Sequence, residues 1–158
     1  MSSNTVKFGV FLPNYGKVSF SDCKEAAVLA DKLGFDSLWV ADHHVSPDWQ
    51  VVPMGGEKGR PESLEPYLIL ASVAMLTKSA KLGACVTPIA RSQTPMHLAK
   101  TIATLDEISK GRSILGAGFG WYESEYLTYG YFWDKAQVRY EKMLEGLQII
   151  EKMWTEET

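Results

Sequence analysis

Leu33-Gly34-Phe35-Asp36-Ser37-Leu38-Trp39-Val40-Ala41-Asp42-His43-His44 carries a helix end, a strand and a pair of histidines in one continuous stretch. Gly34 stands where a residue of positive φ commonly closes a helix. Residues 36–41 read as a strand, nearly all apolar after the first two positions. Upstream, Phe20, Cys23, Ala27, Ala30 and Leu33 share one helical stripe, and residues 6–12 are rich in β-formers until the turn signal Pro13-Asn14. Downstream the alternation repeats. Pro66 suits a first helical turn, and Tyr67, Leu70, Ala71 and Ala74 give that helix an inner face. Residues 81–86 form a third strand closed by Pro88. Thr94-Pro95 pairs an N-cap hydroxyl with proline at N1; Leu98, Ile102, Leu105 and Ile108 follow at helical spacing until Gly111. Residues 113–118 make a fourth strand, and Tyr140, Leu144, Leu147 and Ile150 mark a last helix after an aromatic-rich loop. Residues 42–63 hold Pro47, Pro53, Gly55, Gly56, Gly59 and Pro61 without a clear period, a long loop of the kind that carries function.

Four βα units in strict order imply an α/β fold with a parallel sheet and right-handed crossovers. Either an open doubly wound sheet or a barrel accommodates them, and periodicity leaves both open. In both, chemistry sits at the carboxyl ends of the strands, where the loops beginning at Pro13, Asp42, Thr87 and Phe119 converge. The 158 residues suit a single domain, whereas a closed eight-stranded barrel needs about 250. Sixteen Lys and Arg against 19 Asp and Glu leave a net charge of −3, which gives no electrostatic grip on nucleic acid or an anionic membrane. No apolar run approaches the length of a membrane-spanning helix, and the first residues lack the pattern of a signal peptide. Cys23 and Cys85 form no CxxC and demand no bridge, which fits a reduced cytoplasm.

The candidate chemistry clusters at strand ends. Asp42-His43-His44 directly follows the second strand, where an imidazole is placed for proton transfer or ligand binding; the plain alternative is one ring capping the loop and the other facing water. Adjacent histidines point apart on an extended segment and only His97 remains, so no metal site is expected. Gly116-Ala117-Gly118-Phe119-Gly120 lacks the last glycine of GxGxxG, having Trp121 there, and no GK[ST] follows. Its glycines leave room for a flat ligand or another backbone to approach, and the neighbouring Phe119, Trp121 and Tyr122 favour an aromatic ligand. Cys85 has no base beside it in sequence and reads as a small buried residue. Arg91 suits either an anion clamp or a solvated surface. Glu123 and Glu125 read as loop carboxylates, capable of acid–base work but expected to be exposed.

Several of these segments, in fixed order, resemble the luciferase-like monooxygenase family, the bacterial-luciferase-type flavin and deazaflavin oxidoreductases. They are residues 8–13, 33–43, 64–67, 81–83 with 86–88, 98–106 with 109–112, and 115–121 with Glu125. The pattern is most similar to the branch that uses coenzyme F420, a deazaflavin; relatives that use FMN share most of it. The resemblance implies a TIM-barrel fold of which residues 1–158 form one domain, the N-terminal half, with about four of eight βα units. It implies that the ring is bound by Asp42, His43, Cys85, Val86, Thr87, Gly118 and Phe119. By the same resemblance a non-prolyl cis peptide between Cys85 and Val86 is expected to back the ring, and His43 to act in proton exchange. Trp49, Arg91 and Trp121 shape the substrate side. Sugar-phosphate dehydrogenases of the deazaflavin branch place a catalytic Glu where Trp121 stands, which argues against their substrates.

The expected activity is hydride transfer between the reduced cofactor and a small organic substrate. A lone half-barrel leaves unpaired edges on its first and fourth strands, which points to a homodimer or a complementary half-barrel chain as partner. A noncatalytic half-barrel module and a flavodoxin-type binding domain are the alternatives. Residues 13–17, after the first strand, make a poor phosphate cradle for the latter.

Overall fold

The computed structural model describes residues 6–45, 47–54, 63–91 and 94–157. In chain order the elements are β1 (Gly9–Phe11), α1 (Phe20–Lys32), β2 (Ser37–Val40), α2 (Asp48–Val51) with a 3-10 turn Val52–Met54, and α3 (Pro66–Ala74). They continue with β3 (Lys81–Ala84), β4 (Thr87–Pro88), α4 (Pro95–Ser109), β5 (Ser113–Ile114), β6 (Ala117–Gly118), α5 (Glu123–Thr128) and α6 (Ala136–Thr155). The helix signals act as expected. Ser19 and Asp22 form a reciprocal capping box on α1, Thr94 caps α4 by accepting from the His97 N–H, and Gly34 has φ +81° just past α1.

β1, β2, β3 and β5 pair in parallel in that order. Side chains alternate between the sheet's two faces, so the register sorts them into rows. Val10, Leu38 and Leu82 share one row, and Leu38 and Leu82 are fully buried. That face meets every long helix in one continuous core, with Cys23 and Ala27 from α1, Leu70 and Val73 from α3, Leu98 and Ile102 from α4, and Ile150 from α6. The neighbouring row, Phe11, Trp39, Gly83 and Ile114, lies on the other face. No described helix covers it, and Phe11 remains 46% exposed. A Cβ on Gly9 or Gly83 would come within 2.8 Å of the Trp39 indole, so glycine there makes room for the ring to lie across the sheet. A doubly wound sheet would bury both faces. One covered face is the arrangement of a barrel wall, here about four units of eight.

The third and fourth strands do not run unbroken over 81–86 and 113–118. Each ends early and resumes as the short pair β4–β6, with Thr87 opposite Ala117 and Pro88 opposite Gly118. Gly116 shows why: a Cβ there would sit 2.1 Å from the Ala84 carbonyl oxygen, so the two backbones cross with no room for a side chain. The loop over 42–63 also departs from expectation, since it contains α2 and the 3-10 turn; its residues 55–62 lie outside the described residues. α5 occupies part of the aromatic-rich loop, and six residues are too few to show a helical period.

Candidate functional site

The loops after β1, β2, β3 and β6 meet in a cleft of about 480 Å³, the size of small-molecule sites. Buried Asn14 ties the first two together: its amide donates to the Ala41 carbonyl at 2.8 Å, and its carbonyl accepts the Ala41 N–H at 2.9 Å. Phe11, Tyr15 and Ala41 form one side, and Cys85 and Val86 a second. The peptide bond between those two is cis, as the family resemblance implies. Trp49, Trp121 and Tyr122 add an aromatic side; Trp121 stacks on Tyr122 with ring centres 5.2 Å apart.

His43 enters from the end of β2. Its ring stands edge-on to Trp121 (84°) and to Tyr122 (79°), and its Nδ1 lies 2.9 Å from Glu125 Oε2. The same oxygen accepts the backbone N–H groups of His44 at 2.9 Å and Val45 at 3.3 Å. Glu125 Oε1 accepts from Arg91 Nη1 at 2.7 Å, and Arg91 also pairs with the Asp42 carboxylate and donates to the Asp42 carbonyl at 2.8 Å. Burial alone would raise the Glu125 carboxyl's pKa. The hydrogen bond from His43 and the Arg91 charge outweigh it and hold the group below the usual glutamate range. Burial likewise works against the Arg91 charge, but the carboxylates of Asp42 and Glu125 prevail and raise its pKa. Burial pushes the pKa of the neighbouring His44 imidazole down, and the Arg91 charge adds to this. It packs against Tyr129 and Tyr131.

Of the residues singled out in sequence, Asp42, His43, Trp49, Cys85, Val86 and Trp121 line this cleft. Thr87, Arg91, Gly118 and Phe119 do not. The Thr87 hydroxyl bonds the Tyr67 phenol at 2.6 Å below the surface. Gly118 is buried behind Val86, whose Cγ2 would lie 2.5 Å from an added Cβ. Phe119 turns toward α6 and meets Tyr140 edge-on at 6.0 Å. The Arg91 side chain is only 3% exposed, because its guanidinium is committed to two carboxylates rather than to solvent or the cleft. Two expectations are corrected. Cys85 is exposed, not a small buried residue, because the chain turns outward between β3 and β4. Glu125 is 1% exposed and belongs to a helix, not to an exposed loop; its partners lie 34 and 82 residues away, so local sequence does not show its burial. Asn14, read only as a turn residue, is likewise held by distant backbone. Among the described residues no three His, Cys, Asp or Glu side chains gather in a metal-binding group.

A family model described as luciferase-like monooxygenase matches residues 6–158. An F420-dependent glucose-6-phosphate dehydrogenase of Amycolatopsis mediterranei is 31% identical over 136 residues, covering 85% of this chain and 38% of the relative. An uncharacterized protein of Mycobacterium tuberculosis is 31% identical over 157 residues, covering 91% of this chain and 54% of that one. Among solved structures, an F420-dependent secondary alcohol dehydrogenase with an F420-acetone adduct superposes with a TM-score of 0.81 at 25% identity, covering 96% of this chain and 42% of that one. The FMN-bound oxygenating constituent of 3,6-diketocamphane monooxygenase from Pseudomonas putida gives a TM-score of 0.75 at 28% identity, covering 96% and 40%. The chain thus spans about half, or less, of the length of the relatives it matches. On the match across residues 6–158, and on a sheet covered by helices on one face only, the chain belongs to the luciferase-like monooxygenase family.

Proposed function

We propose that the strand-end cleft takes the flat ring of coenzyme F420, or of FMN as second choice, and that the completed site is an oxidoreductase acting on a small organic substrate. One observation carries this: the cleft's buried carboxylates, Asp42 and Glu125, are already matched by Arg91, so what it offers a ligand is apolar and aromatic wall plus the His43 imidazole. The residues fit such a ring. The volume is adequate, Cys85 and Val86 are exposed along one side, and the missing side chain of Gly118 lets Val86 settle against β6. When bound, the ring supplies the hydride donor or acceptor. The chain's own part is to hold and orient ring and substrate, exclude water with Trp49 and Trp121, and exchange a proton at His43. No Lys or Arg is among the described residues lining the cleft, which favours an uncharged substrate over a sugar phosphate.

The same proposal includes a completing half. Among the described residues β1 and β5 have no outer neighbour in the sheet, and the face bearing Phe11 and Trp39 has no cover. A second copy, a complementary chain or further polypeptide would supply both. The two unpaired cysteines support a reducing compartment such as the cytoplasm, and no described helix is long and apolar enough to cross a membrane. The alternative is a noncatalytic half-barrel module that pairs with another chain without turnover. Fluorescence titration with F420 and FMN, read beside light scattering, separates them: saturable binding in an assembly supports the oxidoreductase, whereas a monomer that takes up neither supports the module.

A further inference from the structure

We infer that Glu125 is a positioning residue that fixes the tautomer of His43, placing the hydrogen on Nδ1 and leaving Nε2 as the nitrogen available to ring or substrate. The inference rests on the proposed role of His43 in the cleft. Three N–H groups converge on Glu125 Oε2: the His43 ring at 2.9 Å and the backbones of His44 and Val45 at 2.9 and 3.3 Å. A carboxylate only accepts, so the hydrogen in the ring contact belongs to Nδ1. Protonating Glu125 would instead place an O–H among donors, and Arg91 at 2.7 Å from the other oxygen opposes it further.

The imidazole therefore has one nitrogen engaged behind it and one left over. Trp121 and Tyr122, both edge-on, hold the ring plane. Asp42 holds the far side of the Arg91 guanidinium, so the position of His43 depends on three separate loops meeting. If the cluster served only to pin those loops, the choice of ring nitrogen would not matter to it. A device that sets the tautomer leaves a signature that loop pinning does not.

The experiment is long-range proton–nitrogen correlation on the full chain labelled with 15N-histidine, above neutral pH. His44→Gln and His97→Gln assign the three rings. His43 is expected as the Nδ1–H tautomer with a bare Nε2. Glu125→Ala is expected to shift it toward the Nε2–H form that a free imidazole favours, because no carboxylate then accepts from Nδ1. In the completed enzyme the same variant should lower kcat at least about tenfold with KM little changed, as when a tautomer-setting carboxylate is lost. An Nε2–H ring in the unaltered chain overturns the inference even if Glu125→Ala fails to fold. An unchanged tautomer in a folded Glu125→Ala variant overturns it too. A chain that shows Nδ1–H but binds neither cofactor keeps the positioning geometry and removes the redox reading, so the two failures are distinguishable.

Discussion

Replacing Arg91 with methionine removes the cation that Asp42 and Glu125 share. Methionine keeps a flexible apolar stem, so the loss is chiefly the charge and its bonds to two carboxylates and the Asp42 carbonyl. Water cannot readily replace it, since the side chains of Arg91, Asp42 and Glu125 are 3%, 2% and 2% exposed. Removing one partner of such a buried group costs about 3–5 kcal/mol, out of roughly 5–15 kcal/mol for a whole domain. At about 2–4 °C per kcal/mol for a chain of this size, Tm should fall by roughly 6–20 °C. Glu125→Gln should cost less, because the Arg91–Asp42 pair survives. The double variant should be less destabilised than the sum of the singles, by about 0.5–3 kcal/mol, because the Arg91–Glu125 contact is lost only once. Equilibrium urea unfolding followed by tryptophan fluorescence reads all three. An Arg91→Met variant within about 0.5 kcal/mol of the parent, or strict additivity, would refute the picture of a buried charge cluster.

Three further outcomes are expected. A thiol reagent should modify exposed Cys85 quickly and Cys23 only on unfolding, since Cys23 is buried, donates to the Pro13 carbonyl and has a thiol pKa raised by burial; saturating F420 or FMN should slow the Cys85 reaction, and equal reactivity of both thiols contradicts the cleft geometry. Gly116→Ala should lower Tm sharply in a thermal melt, because the new methyl meets the Ala84 carbonyl at 2.1 Å; a neutral result would show that β3 and β5 do not approach as described. Glu125, held below its ordinary 4.5, contributes stability that is complete above that value and lost as pH falls toward its folded pKa, because the unfolded chain takes up the proton first. Glu125→Gln should therefore flatten the loss of stability on the acid side, and an unchanged slope of stability against pH would contradict the depressed pKa.

Local chemistry explains what could be read from the sequence. Thr94 and Gly34 mark helix ends because caps act over three or four residues, and His43 is conspicuous because it follows an apolar strand directly. The covered face of the sheet is another matter. Residues 38–41 read as one apolar run, and only the row containing Phe11, Trp39 and Gly83 shows that a single face is buried. The glycines at 116 and 118 look like a ligand loop but serve a crossing backbone and the Val86 side chain. The burial of Glu125 was the hardest to see. A buried carboxylate depends on its partners, and these arrive from loops 34 and 82 residues distant.

The most direct test of the cleft as a ring site is a set of nuclear Overhauser contacts between bound F420 or FMN and methyl-labelled chain. Contacts from ring protons to the Val86 methyls, together with shifts of the His43 ring, are the predicted result. Ring contacts confined to another surface, such as the groove beside Ile102 and Trp154, would contradict it.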